Sequence, residues 1–137
     1  MADAEQLAML KRDIRVWNQW RSEHQYEAVD LSHANLTYAS LINANLRHAN
    51  FSRADLIGAL LTGADLTGAY LRHADLTDVH LDSADLRNAD LGGAILNGAI
   101  LKDADLRHTC FVGAHVTQEQ LDSAKSHRGA LLPRGLH

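Results

Sequence analysis

Apolar residues recur at every fifth position without a break from Leu31 to Val116, eighteen in all, and every one is leucine except Phe51, Phe111 and Val116. Two residues before each stands a small side chain, alanine from Ala34 to Ala114, replaced only by Val29, Val79 and Thr109. A helix would turn such a series by about 140° per step and scatter it around the axis, while a long strand demands a period of two. Neither regular element fits. The pattern predicts a short extended piece whose alanine and leucine positions point inward together, followed by a turn.

Turn chemistry agrees with this reading. A type II turn needs positive φ at its third residue, where glycine and asparagine are tolerated and β-branched side chains are not. The position two after each apolar centre meets that demand with Gly58, Gly63, Gly68, Gly93, Gly98 and Gly113, together with Asn43, Asn88, Asp78, Asp103 and four histidines, and never with Val, Ile or Thr. The position before it holds eight β-branched residues.

Ala64-Asp65-Leu66-Thr67-Gly68 shows the motif A-(D/N)-L-x-x, and the in-register run of such motifs over residues 29–118 resembles the pentapeptide-repeat family. The resemblance implies what spacing alone does not: four repeats close one square coil, so the fold class is an all-β solenoid, a right-handed quadrilateral β-helix of about four and a half coils. At roughly 4.8 Å per rung the rod is on the order of 22 Å long.

A solenoid exposes core and unpaired backbone at both ends and needs terminal plugs. Residues 1–28 read as an N-terminal helical cap. Asp3 with Gln6 makes a capping-box-like start, and Leu7, Leu10, Ile14 and Trp17 follow at helical spacing, with Trp20 widening the stripe. The stretch Ile14–Arg21 resembles the helical leader of bacterial family members. Residues 119–137 read as a C-terminal helix and tail, with Thr117-Gln118-Glu119-Gln120 as a capping box, Leu121 in phase with the repeats, and Leu131-Leu132 folding back onto the last coil. The three segments make one folding unit.

Composition narrows the partners. The formal charge of −4 gives no basic footprint for nucleic acid, so direct DNA or RNA binding is not expected. One cysteine, Cys110, forms no internal disulfide and suits a reducing compartment, and the absence of a leader-like start or a long apolar run points to a cytoplasmic protein. Acidic residues mixed into the N-terminal helix argue against a membrane-surface role.

No cofactor, metal or catalytic group is expected. Among the nine histidines none stacks on another at a spacing of twenty, since His33 meets Arg53, His48 meets Gly68, His73 meets Gly93 and His80 meets Ile100. His108 and Cys110 lack further ligands. No nucleophile is paired with a base, and a leucine-alanine interior leaves no pocket.

The outward ladders are therefore where function is expected. Asn45, Asp65, Asp85 and Asp105 beside Arg47, Thr67, Arg87 and Arg107 read as a self-neutralising ion-pair ladder. Ile42, Leu60 and Ile100, with Ile57 and Ile95 adjoining, form the candidate interaction patch, interrupted by His80. Asp55, Asp75, Asp78, Asp82 and Asp103, with only Lys102 nearby, form a candidate acidic corner for a basic partner. The expected function is a rigid protein-interaction or structural module with an unidentified protein partner, able to dimerise through the tail or the apolar patch. The family resemblance also implies an alternative, a DNA-mimicking rod that binds a type II topoisomerase such as gyrase, as Qnr-type resistance proteins do. The short chain and the Arg47, Arg87, Arg107 ladder count against it.

Overall fold

The computed structural model describes all 137 residues. Fourteen parallel bridges, from Asp30↔Asn50 to Ile95↔His115, join residues twenty apart, so four five-residue repeats complete one coil. Each contact is a single-residue bridge and not an extended strand, because the chain turns after every repeat. Within a repeat the centre's carbonyl accepts from the amide three residues on, as Leu86 does from Ala89 at 3.0 Å. The residue two after the centre has positive φ at every repeat from His33 to Gly113, as the turn argument requires. Between coils, Leu86 N–H donates to Asp105 O and Asp105 N–H donates to Ala84 O, both at 2.9 Å.

The leucine and alanine positions fill the interior. Leu46, Leu66, Leu86 and Leu106 are fully buried, as are Phe51 and Phe111. Thr109, the polar exception among the alanine positions, is fully buried too, and its Oγ1 donates to Leu86 O at 2.7 Å. This bond gives its hydroxyl a partner in an otherwise apolar layer.

Positive φ falls on eleven non-glycine residues as well, among them His48 at +59° and Asp78 at +57°. In several columns these side chains lie along the rod over a glycine of the next coil. A Cβ on Gly68 would come within 2.3 Å of His48 Nδ1, and one on Gly98 within 2.1 Å of Asp78 Oδ1. Glycine at these two sites thus relieves both backbone and packing.

The N-terminal segment forms two helices, α1 (Ala4–Arg12) and α2 (Ile14–Glu23), where the periodicity suggested one stripe. Asp13 is extended, at φ −162° and ψ 119°, and its carboxylate caps α2 by accepting from Arg15 N–H at 2.8 Å. Asp3 caps α1 by accepting from Glu5 and Gln6 amides. Gln6 does not complete the capping box: its Nε2 donates to Ala28 O and its Oε1 accepts from Asp30 N–H, at 2.8 and 2.9 Å. The side chain bonds the first coil's backbone instead. Leu10 and Trp17 are buried against that coil, and Trp17 Nε1 donates to Asn45 O at 2.8 Å.

At the other end α3 (Gln118–Ser123) opens with a complete capping box between Thr117 and Gln120. Leu121 is fully buried. Gln120 Nε2 also donates to Leu96 O and Ala99 O, closing the rung where the chain has left the repeat path. Beyond α3 the chain rejoins the ladder with one extra residue, in the bridges Asp105↔Ser126 and Cys110↔Leu131. This offset turns Leu132 toward the core and leaves Leu131 60 % exposed.

Candidate interaction surfaces

The square coil presents four outward faces, each read as columns of residues twenty apart. On the face of Leu46, Leu66, Leu86 and Leu106, Arg87 clasps Asp85 and Arg107 clasps Asp105, with Nη2–Oδ2 distances of 2.7 and 2.6 Å. Arg47 has Asn45 at the equivalent place and reaches across a rung to Asp65 at 3.2 Å. Both Asp85 and Asp105 are held below their ordinary value of 3.8, chiefly by the hydrogen bonds from Arg87 and Arg107, against the upward pull of burial.

A depressed carboxylate contributes stability that is present above its unfolded value and is lost as pH falls through the folded one. Thermal midpoints measured from about pH 5 down to pH 2 should therefore fall, and the Asp85→Asn/Asp105→Asn protein should fall less steeply. Because the arginine side chains are nearly half exposed, the difference is on the order of 1 kcal/mol. Parallel pH profiles for the two proteins would rule out this assignment.

The candidate apolar residues fall on two adjoining faces. Leu60 and Ile100 share the column Ser40–Leu60–His80–Ile100, separated by the histidine, and Ile95 stands in the column Asn35–Asp55–Asp75–Ile95. Ile42 and Ile100 are each 41 % exposed, while Ile57, Leu60 and Ile95 are half-buried. The candidate acids occupy the same two faces. Asp55 and Asp75 are bridged neighbours whose carboxylates accept from Ile57 and Thr77 amides at 3.1 Å, and Asp82 accepts from Thr62 Oγ1 at 3.0 Å. Asp78 lies over Gly98, and Asp103 is exposed. Apolar and acidic groups are interleaved rather than side by side, and part of each carboxylate's capacity is taken up by its own turn or column.

A further feature of these faces was not legible in the sequence. Helices α1 and α2 bond the first coil at Ala28, Asp30, Asn43, Asn45 and Arg47 but leave the edge from Asn35 to Ile42 bare. The backbone amides and carbonyls of Asn35 and Ser40, and the backbone carbonyls of Thr37 and Ile42, make no hydrogen bond within the protein. A cleft of about 480 Å³ lies there between Lys11 and residues 35–41. Tyr38, 73 % exposed, stands beside it. Its placement at a corner otherwise given to small or polar residues was the one available signal.

No three His, Cys, Asp or Glu side chains converge to hold a metal ion, and no helix is long and apolar enough to cross a membrane.

The family model for pentapeptide repeats matches the chain in eight copies over residues 27–63, 59–98 and 80–118. Among solved structures, the chain is similar to the pentapeptide repeat protein Rfr23 from the cyanobacterium Cyanothece, with 25 % identity, a TM-score of 0.63, and coverage of 87 % of this chain and 95 % of that one. It also resembles a pentapeptide repeat protein of the Arabidopsis thaliana thylakoid lumen, at 28 % identity, TM-score 0.43, and coverage of 65 % and 62 %. QnrB1, a plasmid-mediated fluoroquinolone resistance protein, matches at 19 % identity and TM-score 0.35, over 78 % and 59 % of the two chains. No functionally curated protein is similar enough to match.

Proposed function

We propose, from the premise that this chain belongs to the pentapeptide-repeat family, that it is a rigid, non-catalytic module for binding another protein. The observation that carries this reading is the bare edge from Asn35 to Ile42, set beside exposed Tyr38 and Ile42 and continued down the same faces by Ile100. Unpaired backbone at a solenoid edge, next to apolar side chains, is suited to a protein surface. A filled leucine-alanine interior supports a role played wholly on the outside.

On this reading the rod is a right-handed quadrilateral β-helix of about four and a half coils, with α1 and α2 as an upstream lid and α3 with the tail as a downstream one. The lids keep copies from stacking end to end. A cytoplasmic setting suits the single Cys110. The gyrase-binding alternative draws little support from the arginine face, where Asp65, Asp85 and Asp105 each hold an arginine, and would have to rest on the acids of the adjoining faces, Asp55, Asp75, Asp78, Asp82 and Asp103.

Affinity capture from the native cell tests the proposal. The wild-type protein should retain a defined partner, and Ile42→Asp/Ile100→Asp, with an unchanged circular dichroism spectrum, should weaken its binding roughly tenfold or more. Equal retention by both proteins would remove these faces from consideration.

A further inference from the structure

The arginine ladder is charge-balanced along its length but not at its upstream end. Three aspartates, Asp65, Asp85 and Asp105, serve three arginines, Arg47, Arg87 and Arg107. Arg21 then enters from α2 above Arg47, and no carboxylate lies within ion-pairing distance of it. Its residue is only 4 % exposed. Nη2 donates to Arg47 O at 2.6 Å, Nη1 reaches Glu27 O only at 3.5 Å, and Nε has no partner. Burial foremost, and then the charge of Arg47, pull Arg21 below its ordinary pKa, while Asp65 pulls the other way. A desolvated guanidinium beside a second one is costly without a counter-charge.

A cavity of about 280 Å³ opens at this place, lined by Arg21, Gln25, Tyr26, Asn45, Arg47 and His48 among others, with no acidic residue in its wall. The His48 ring is held in position over Gly68, where a Cβ would come within 2.3 Å of its Nδ1. The wall thus brings together two arginines, a histidine, a glutamine, an asparagine, a serine and a tyrosine, and the guanidinium of Arg47 is shared with Asp65 at 3.2 Å.

We propose that this cavity is an oxyanion site that takes a phosphate group, free or as a small monoester, between the guanidinium groups of Arg21 and Arg47. A tetrahedral anion accepts donors from several directions at once, and guanidinium forks match its oxygen spacing. The anion supplies the charge that Arg21 lacks. The site lies on the arginine face, away from the bare edge, so it stands or falls independently of the protein-binding reading.

The test is an amide and arginine-side-chain NMR titration of the full chain with inorganic phosphate, at constant ionic strength against sodium chloride. Expected are saturable shifts at residues 21–26 and 45–48 with a dissociation constant of roughly 1 mM or below. Arg47→Gln should weaken binding roughly tenfold, whereas Arg107→Gln, on the same face three coils away, should leave it unchanged. A parallel titration with phosphoserine separates the sources: tighter binding means that the cavity holds a monoester, equal or weaker binding that it holds the free ion. The proposal is overturned by shifts that chloride reproduces, by no saturation at about 10 mM phosphate, or by Arg47→Gln binding as the wild type does. Thermal melts of both variants check folding, and each should keep a single cooperative transition near the wild-type midpoint because its ion pair is partly exposed.

Discussion

Trp17→Ala should lower stability by about 3–5 kcal/mol in urea denaturation and should make the protein self-associate as its concentration rises. The indole is fully buried and belongs to the same continuous core as the repeat leucines. Its removal leaves a void beneath α2 and strips Asn45 O of the Nε1–H donor that satisfies it at 2.8 Å. The neighbouring Asn18 bonds, to Asn43 O at 3.1 Å and from Asn45 N–H at 2.7 Å, depend on α2 staying seated. Once α2 lifts, the bare edge lengthens from residues 35–42 to include residues 43–47, and an uncovered edge invites pairing with another chain. Sedimentation velocity over a concentration series reads the association. A loss below about 1 kcal/mol with no association would mean that α2 is not part of the cooperative unit.

The second large effect is expected at mid-rod. Leu66→Ala removes a fully buried side chain stacked between Leu46 and Leu86, and should cost about 2–5 kcal/mol. The upper part of that range is expected because the coils are held at a fixed rung spacing by bonds such as Leu66 N–H to Asp85 O and Asp65 N–H to Ala44 O, at 2.8 and 3.0 Å. The neighbouring leucines therefore cannot close the void. The thermal midpoint should fall by on the order of 10 °C. Leu131→Ala is the matched control, since that side chain is 60 % exposed despite its place in the ladder, and it should change stability by no more than about 0.5 kcal/mol. Similar losses at the two positions would contradict the inward and outward assignment made by the one-residue offset after α3.

Trp17 and Leu66 were legible in the sequence to different degrees. Leu66 is read directly, because each repeat restates the same local demands: a small residue and a leucine inward, then a residue that tolerates positive φ. Trp17 is visible as part of an apolar stripe, but the break at Asp13 is not, since Leu7, Leu10, Ile14 and Trp17 keep helical spacing across it. The break reflects where the two helices must sit, α1 over Asp30 and α2 over Asn45, on different sides of the coil. Gln6 carries the same lesson. Its spacing from Asp3 suits a capping box, yet the Ala28 carbonyl and Asp30 amide, brought close only by folding, take its side chain.

The candidate surfaces divide in the same way. The ion pairs of Arg87 and Arg107 lie within two residues of their aspartates and follow from local order. The reach of Arg47 to Asp65, the unpaired guanidinium of Arg21, and the bare edge beside Tyr38 join segments eighteen or more residues apart, or depend on where α1 and α2 lie over the coil.

The amino-acid order by itself determined the five-residue period, the inward residues, the turn positions and the cap of α3, because each is decided by sterics and hydrogen bonds within a handful of neighbours. The tertiary structure alone decided which part of the first coil is covered, how the chain re-enters the ladder after α3, and where a buried cation is left without its counter-charge. These depend on contacts between distant segments, whose geometry no local propensity encodes.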